Sequence, residues 1–198
     1  MDSKLQIISG KYRGKKLAWP VGARPTSMRA KIALFNILAP IVKQMQSEKA
    51  PVIWDVYAGS GAVGAEFLSR GWVSGAIFTD SDPAAIKIIS QNLKDMAGSS
   101  RITIEKGEMP GIAGKFVEKA GIIFLDPPYS EGTSLGKTIT MLAKSMNRNA
   151  ILIVEFEHCP PTENRKAVFD SPAWGELGLE VLARRNYGRA GFVVFRKK

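Results

Sequence analysis

Residues 52–64 read VIWDVYAGSGAVG, and the reading of this stretch decides the fold. Val52, Ile53, Trp54 and Val56 are a β-prone apolar run that meets a carboxylate at Asp55. The chain then breaks at Gly59-Ser60-Gly61 and resumes with the helical pattern AVGAEFLSR. Strand, glycine turn and helix open a βαβ unit, with a helix N-terminus whose free N–H groups face a ligand at the turn. Gly59, Gly61 and Gly64 satisfy G-x-G-x-x-G, and Asp80 follows sixteen residues after the last of them, so a dinucleotide must be weighed. Asp55 argues against it. A carboxylate just before the loop repels a pyrophosphate and pairs with a cationic ligand such as an amino-acid ammonium.

The second signal is Asp126-Pro127-Pro128-Tyr129, at the end of another apolar run. It has no role in hydride transfer. Two prolines fix the backbone and remove two N–H donors, so the Asp126 carboxylate and the Pro127 carbonyl face the pocket as acceptors. The exocyclic amine of a nucleobase is a poor nucleophile because its lone pair is delocalised into the ring. Two acceptors gripping its hydrogens localise that pair and aim it, a matter of orientation and electrostatics. Tyr129 offers a face on which a base can stack. Glycine loop and tetrapeptide together point to S-adenosylmethionine rather than NAD.

Around these motifs the chain alternates. The patterns predict strands at 52–57, 75–80, 102–105, 121–125 and 150–156, with helices at 62–70, from Asp82-Pro83, and near 134–145. The stretch 107–115 reads as irregular. Runs at 179–186 and 191–196, too close for a crossover helix, form an antiparallel hairpin. The expected fold is α/β and Rossmann-like: a seven-stranded, mostly parallel sheet closed by an antiparallel C-terminal hairpin, the pattern of S-adenosylmethionine-dependent methyltransferases. Before it, residues 5–20 read as two short strands around a turn. A helix capped by Thr26 or Ser27 follows, with an apolar face of Ala30, Ala33, Leu34, Ile37, Leu38 and Ile41; it is interrupted at Pro40, and Arg29 and Lys31 fall off the face. The domain reading is a basic N-terminal β-hairpin extension, 1–25, and a methyltransferase domain, 26–198.

Ligands bind beyond the carboxyl ends of such strands. That rule collects Asp55, Asp80, Glu108 and Asp126 on one edge. Asp55 and the loop residues Tyr57, Ala58, Gly59, Ser60 and Gly61 face the methionine end of the cofactor. Asp80, with Ser81 after it, takes the ribose hydroxyls, and Glu108 lies near the adenine.

The 198 residues carry a net charge of +10 and a pI of about 9.8. Residues 1–31 hold +7 and residues 181–198 hold +6, so the central fold is slightly acidic. Basic charge gathered at the chain ends is the footprint of a polyanion partner. The candidate RNA contacts are Lys11, Arg13, Lys15, Lys16, Arg24, Arg29, Arg184, Arg185 and Arg189, with Tyr12 and Trp19 interleaved as stacking groups. Removing residues 1–20 is expected to weaken RNA binding and leave the cofactor in place. A single cysteine, Cys159, favours a reducing cytoplasm. The runs GIIFL and AILIVEF are too short to span a bilayer. His158, alone of its kind, has no second metal-ligand candidate near it, so no metal is expected.

These residues resemble the RsmD family, which methylates the 2-amino group of one guanine in 16S ribosomal RNA. IISGKYRGKKL, RPTS-x-R, LFNIL, DVYAGSGAVG, LSRG, FLDPPY, the IVE strand and YGRAGFVVF match in order. The tetrapeptide is shared by amino-methyltransferases generally; the N-terminal block is the specific part. The resemblance implies an S-adenosylmethionine cofactor at Asp55, Gly59, Gly61, Asp80 and Glu108, catalysis by Asp126, Pro127, Pro128 and Tyr129, and ribosomal RNA or a small-subunit particle as partner of a monomer. The family carries an acid and a glutamate where Met28 and Ile32 stand here. Competing expectations are an adenine amino-methyltransferase on DNA or RNA and a catalytically inactive RNA-binding assembly factor; a NAD-dependent oxidoreductase is least favoured.

Overall fold

The computed structural model describes residues 5–20, 27–46, 49–96, 98, 101–128, 135–157, 173–187 and 190–198. In chain order the elements are α1 (Met28–Met45), β1 (Val52–Asp55), α2 (Ala62–Ser69), β2 (Gly75–Asp80), α3 (Pro83–Leu93) and β3 (Arg101–Lys106). Then come α4 (Ala113–Phe116) with a 3-10 turn Val117–Lys119, β4 (Ile122–Leu125), α5 (Leu135–Ser145), β5 (Ile151–Glu157), α6 (Ala173–Glu176), β6 (Leu179–Tyr187) and β7 (Ala190–Lys197). The strands form one sheet in the order β3-β2-β1-β4-β5-β7-β6. All pairings are parallel except those of β7, which runs antiparallel to both β5 and β6. This is the expected seven-stranded architecture.

Both faces of the central strands are covered, which is why β1, β2 and β4 are mostly apolar and buried, whereas the edge strands β3 and β6 carry charged residues. Ile53, Phe78, Phe124 and Ile153 point to one core with Leu34, Phe35, Phe67 and Ile89. Their neighbours Trp54, Ile77, Ile123 and Val154 point to the other, with Phe116, Ile139, Leu142 and Phe195. The one-residue alternation of the pleat sorts each strand between two cores.

Four expectations need correcting. The helix α1, capped by Ser27 Oγ accepting from Ala30 N at 3.2 Å, runs through Pro40 to Met45. Burial of Phe35, Leu38 and Val42 outweighs the roughly 3 kcal/mol cost of an interior proline. Lys31 does not fall off the buried face; it is 3% exposed. The N-terminal stretch forms no strands, only an isolated antiparallel bridge between Gln6 and Lys16. Around that bridge the two arms share three backbone bonds, Ile7 N to Lys15 O at 3.0 Å, Gly14 N to Ile7 O at 2.9 Å and Leu17 N to Leu5 O at 2.9 Å. The residues between them are tied to α2 instead: Ile8 N and Ser9 N bond the two oxygens of Glu66 at 2.7 and 3.0 Å, and Tyr12 N bonds Ser69 Oγ at 2.9 Å. Gly10 sits at φ +84 so close to Ser69 that a Cβ would stand 1.9 Å from its carbonyl oxygen. Leu5, Ile7 and Leu17 are part of the first core. The helical turns within 113–119 were also unexpected there. No helix among the described residues is long and apolar enough to cross a membrane.

Candidate cofactor and amine site

The carboxyl ends of β1, β2 and β4 deliver three aspartates to one edge. Asp55, 2% exposed, accepts a hydrogen bond on Oδ2 from Gly64 N, 3.0 Å away in the first turn of α2. Burial pushes its pKa up to about 8; the Gly64 bond opposes the shift, and the charges of Asp126 and Asp80 add to it. Half-buried Asp126 follows β4, and burial pushes its pKa up to about 6. A carboxylate that ordinarily ionises near 4 is here a far better proton acceptor.

Asp80 holds the glycine loop. One oxygen accepts from Gly59 N at 2.8 Å and the other from Asp82 N at 2.9 Å. The loop needs its glycines for two separate reasons. Gly59 and Gly61 take φ +52 and +73. Gly64 lets α2 lie on β2, since a Cβ there would stand 2.3 Å from the Phe78 ring. No atom lies within 4 Å of a Cβ built on Gly59, so the backbone is open on that side.

A cavity of about 140 Å³ is walled by Asp55, Asp126, Tyr57, Ser60, Lys31 and Trp19, with Ala58 and Gly59 completing the loop side. The structure therefore brings Asp55, the loop and Asp126 together. Asp80 reaches this cavity only through its bond to Gly59, Gly61 caps α2, and Ser81 and Glu108 are exposed outside it. Glu108 follows the edge strand β3; its carbonyl accepts from Ile112 N. Pro127 is half-buried and Pro128 exposed, while Tyr129 lies outside the described residues.

Lys31 is the functional candidate that periodicity missed. Burial lowers its pKa, opposed by the charges of Glu66 on α2 and Glu155 on β5. Both partners are remote in sequence, so no local signal marks it. Asn92, 5% exposed on α3, is a second. Its side chain bonds Ala18 N and O at 2.9 and 2.8 Å and Ser60 O at 2.9 Å, joining the N-terminal stretch to the glycine loop.

Of the candidate RNA contacts, Lys11, Arg13, Lys16, Arg29 and Arg185 are exposed and Arg184 is half-buried. Lys15 is engaged with Asp95 at 3.2 Å. Arg24 and Arg189 lie outside the described residues, as do His158 and Cys159. Trp19 is 37% exposed at the cavity wall. No group of three or more His, Cys, Asp or Glu among the described residues is arranged to hold a metal ion.

Residues 5–195 match the family described as conserved hypothetical protein 95. The chain is 36% identical over 161 residues to the ribosomal RNA small subunit methyltransferase D of Escherichia coli, covering 79% of this chain and 76% of that protein. It is 31% identical over 171 residues to the protein of the same name from Haemophilus influenzae, covering 80% and 81%. Among solved structures, yhhF of Escherichia coli, described as a candidate methyltransferase, superposes with a TM-score of 0.69 at 27% identity, covering 98% of each chain.

Proposed function

The chain belongs to the RsmD family, and on that premise we propose that it transfers a methyl group from S-adenosylmethionine to the exocyclic 2-amino group of a guanine in small-subunit ribosomal RNA. The observation that carries the reading is the convergence of Asp55, the glycine loop and Asp126 on one cavity.

The residues present fit that cofactor. Aspartates crowd one edge, and Asp55 is held protonated partly by its neighbours' charge, so a ligand bearing ammonium and sulfonium relieves a repulsion that a pyrophosphate would worsen. Each oxygen of Asp80 already takes one backbone N–H yet keeps a further lone pair for a ribose hydroxyl. Glu108, beyond β3, serves the adenine side. Bound S-adenosylmethionine supplies an electrophilic methyl group.

The chain does the rest. The target base leaves its stack to enter, as bases modified within RNA must, and Tyr129 receives its face. The Asp126 carboxylate and the Pro127 carbonyl accept the amine's two N–H bonds and turn its lone pair toward the methyl. Transfer of the methyl would break its bond to sulfur, leaving a neutral thioether, and make the amine nitrogen cationic; one of that nitrogen's protons would then pass to Asp126. The basic residues of both chain ends hold the RNA, and such a substrate implies work in the cytoplasm.

The experiment combines isotopically labelled S-adenosylmethionine with small-subunit RNA and with particles, followed by mass spectrometry of the nucleosides. Labelled N2-methylguanosine is expected. Labelled methyladenosine would transfer the reading to adenine, and no labelled nucleoside would leave only an RNA-binding role.

A further inference from the structure

The sheet has a second edge, where the parallel strands begin, and it carries the larger concavity. A groove of about 890 Å³ crosses it, floored by Val52, Gly75, Gly121 and Ile151 at or beside the starts of β1, β2, β4 and β5. Its rim holds Lys49, Arg101, Lys119, Arg148 and Arg196, and none of the described residues lining it is acidic. The first four are exposed, and among the described residues none of the five forms an ion pair. Carboxylates stand near but outside: Glu180 faces Arg196 across the β6–β7 ladder, and Glu118 precedes Lys119.

The floor is spoken for. Gly121 N donates to Val52 O, Ile151 N to Gly121 O and Arg101 N to Ser74 O, so the strand starts bond one another rather than a ligand. At Gly121 a Cβ would stand 2.8 Å from Pro51, and at Gly75 it would stand 2.8 Å from Arg101 O, so the floor admits no side chain. What the groove offers is side-chain charge, with amides from Asn147 and Asn149 between the cations.

From Arg101 on β3 to Arg196 on β7 there are five strand intervals, about 24 Å at about 4.8 Å each. That is room for a run of phosphates rather than one small anion. We propose that this groove is a second nucleic-acid contact, gripping the phosphate backbone of the RNA whose base enters the cavity on the opposite edge. The identity of the polyanion rests on the rRNA methyltransferase reading. A lipid surface fits less well, because the site is concave and the large apolar residues exposed among the described residues, Trp19, Ile32 and Val181, lie outside it. A plainer role exists for some of these cations. The helices α1 and α5 end at this edge, and Lys or Arg near a helix C-terminus complements its dipole. That role affects folding stability and leaves RNA binding alone.

The strands separating the two edges are four to seven residues long, so groove and cavity lie roughly 13–23 Å apart. An RNA must be several nucleotides long to occupy both. The test compares the protein with an Arg101→Gln/Arg148→Gln variant, using a fluorescent small-subunit rRNA transcript and a guanine-containing trinucleotide across a salt series. For the transcript, affinity should fall about 10-fold or more and the salt slope should shrink by about 2. Trinucleotide binding and S-adenosylmethionine affinity should hold, and Arg101→Lys/Arg148→Lys should restore most of the loss. Unchanged transcript affinity and slope would overturn the proposal. So would a variant that loses binding to phosphatidylserine vesicles while retaining the transcript. Binding decides the groove whether or not turnover is seen, whereas absence of methylation by the unmodified protein strikes at the function reading instead.

Discussion

The two edges of this sheet are electrical opposites. At the carboxyl ends of the strands, Asp55, Asp80 and Asp126 gather around a cavity of about 140 Å³, with Asp55 and Asp126 holding their protons above the usual range. At the other end five cations surround a groove of about 890 Å³. The small cavity suits a small cation, because Asp55 in its wall is buried where low dielectric makes a charge count. The long groove suits a polyanion, whose affinity grows with the number of phosphate contacts. On the proposed function, the larger concavity is therefore not the one that holds the reacting groups. A net charge of +10 conceals both facts, since the acids of one edge and the cations of the other cancel in the sum.

The sharpest way to break the contrast is Asp126→Ala. It removes the charged acceptor and leaves the Pro127 carbonyl. Turnover should fall about 100-fold or more, the scale of losing one preorganised electrostatic contact, while cofactor affinity changes little. Single-turnover methylation and calorimetry on the same variant check both halves. Near-normal turnover would reduce the tetrapeptide to a turn.

Titration tests the acidic edge without a mutation. With the pKa of Asp126 near 6, kcat/KM should fall about tenfold per pH unit below that value, because protonated Asp126 no longer accepts the amine's hydrogen. Asp55 gives the stability counterpart. Its folded pKa, about 8, lies above the unfolded value, so its contribution is fully present below about pH 4 and is lost as pH rises through 8. The free protein's Tm should therefore decline across that window, and Asp55→Asn should flatten the decline. Bound S-adenosylmethionine should flatten it too, its positive charge lowering the pKa.

What the sequence disclosed were features carried by neighbouring residues. The glycine loop, the Asp82-Pro83 helix start and the Asp126 tetrapeptide are each written within a few positions, and the alternation of apolar runs marked a mostly parallel sheet closed by a hairpin around them. What it hid was assembled from afar. Lys31 is buried because Glu66 and Glu155 come to it from other elements. The basic groove collects residues 49, 101, 119, 148 and 196, adjacent only once the strands are laid side by side. The N-terminal stretch pairs its two arms around Gln6 and Lys16, but the pairing stops short of a strand ladder because Glu66 and Ser69 take the donors of Ile8, Ser9 and Tyr12. Pro40 is a local stop signal overruled by burial on both sides.

That strapping changes how the basic N-terminus must be tested. Deleting residues 1–20 would strip Glu66, 1% exposed, of two backbone donors and open the first core, so folding itself would fail. Substituting Lys11, Arg13 and Lys16 with Gln leaves the packing alone, since all three are exposed. Transcript affinity should drop about 10-fold, with the salt slope reduced by about 3, and S-adenosylmethionine binding should not respond to salt in the same way. An unchanged slope would assign RNA binding to other cations.

The smallest expected effect lies at Asn92, which joins the N-terminal stretch to the glycine loop. Its carboxamide oxygen takes Ala18 N, and its amine donates to Ala18 O and to Ser60 O in the glycine loop. One buried side chain thus fixes the stretch that carries Lys11, Arg13 and Lys16 relative to the glycine loop. Asn92→Ala leaves Ala18 N, Ala18 O and Ser60 O without this partner. Each is close enough to the surface to recruit water, so the loss should be about 1–3 kcal/mol of stability rather than the sum of three buried orphans. Cofactor affinity should fall only a few-fold, because Asp80 still holds the loop at Gly59. The informative number is a difference. If arm and loop act as one body, S-adenosylhomocysteine should tighten binding of the rRNA transcript in the unmodified protein, and the same factor should appear in reverse when RNA is added first. Asn92→Ala should shrink that factor toward one. Equal coupling in both proteins would mean that the arm and the loop report to each other by another route.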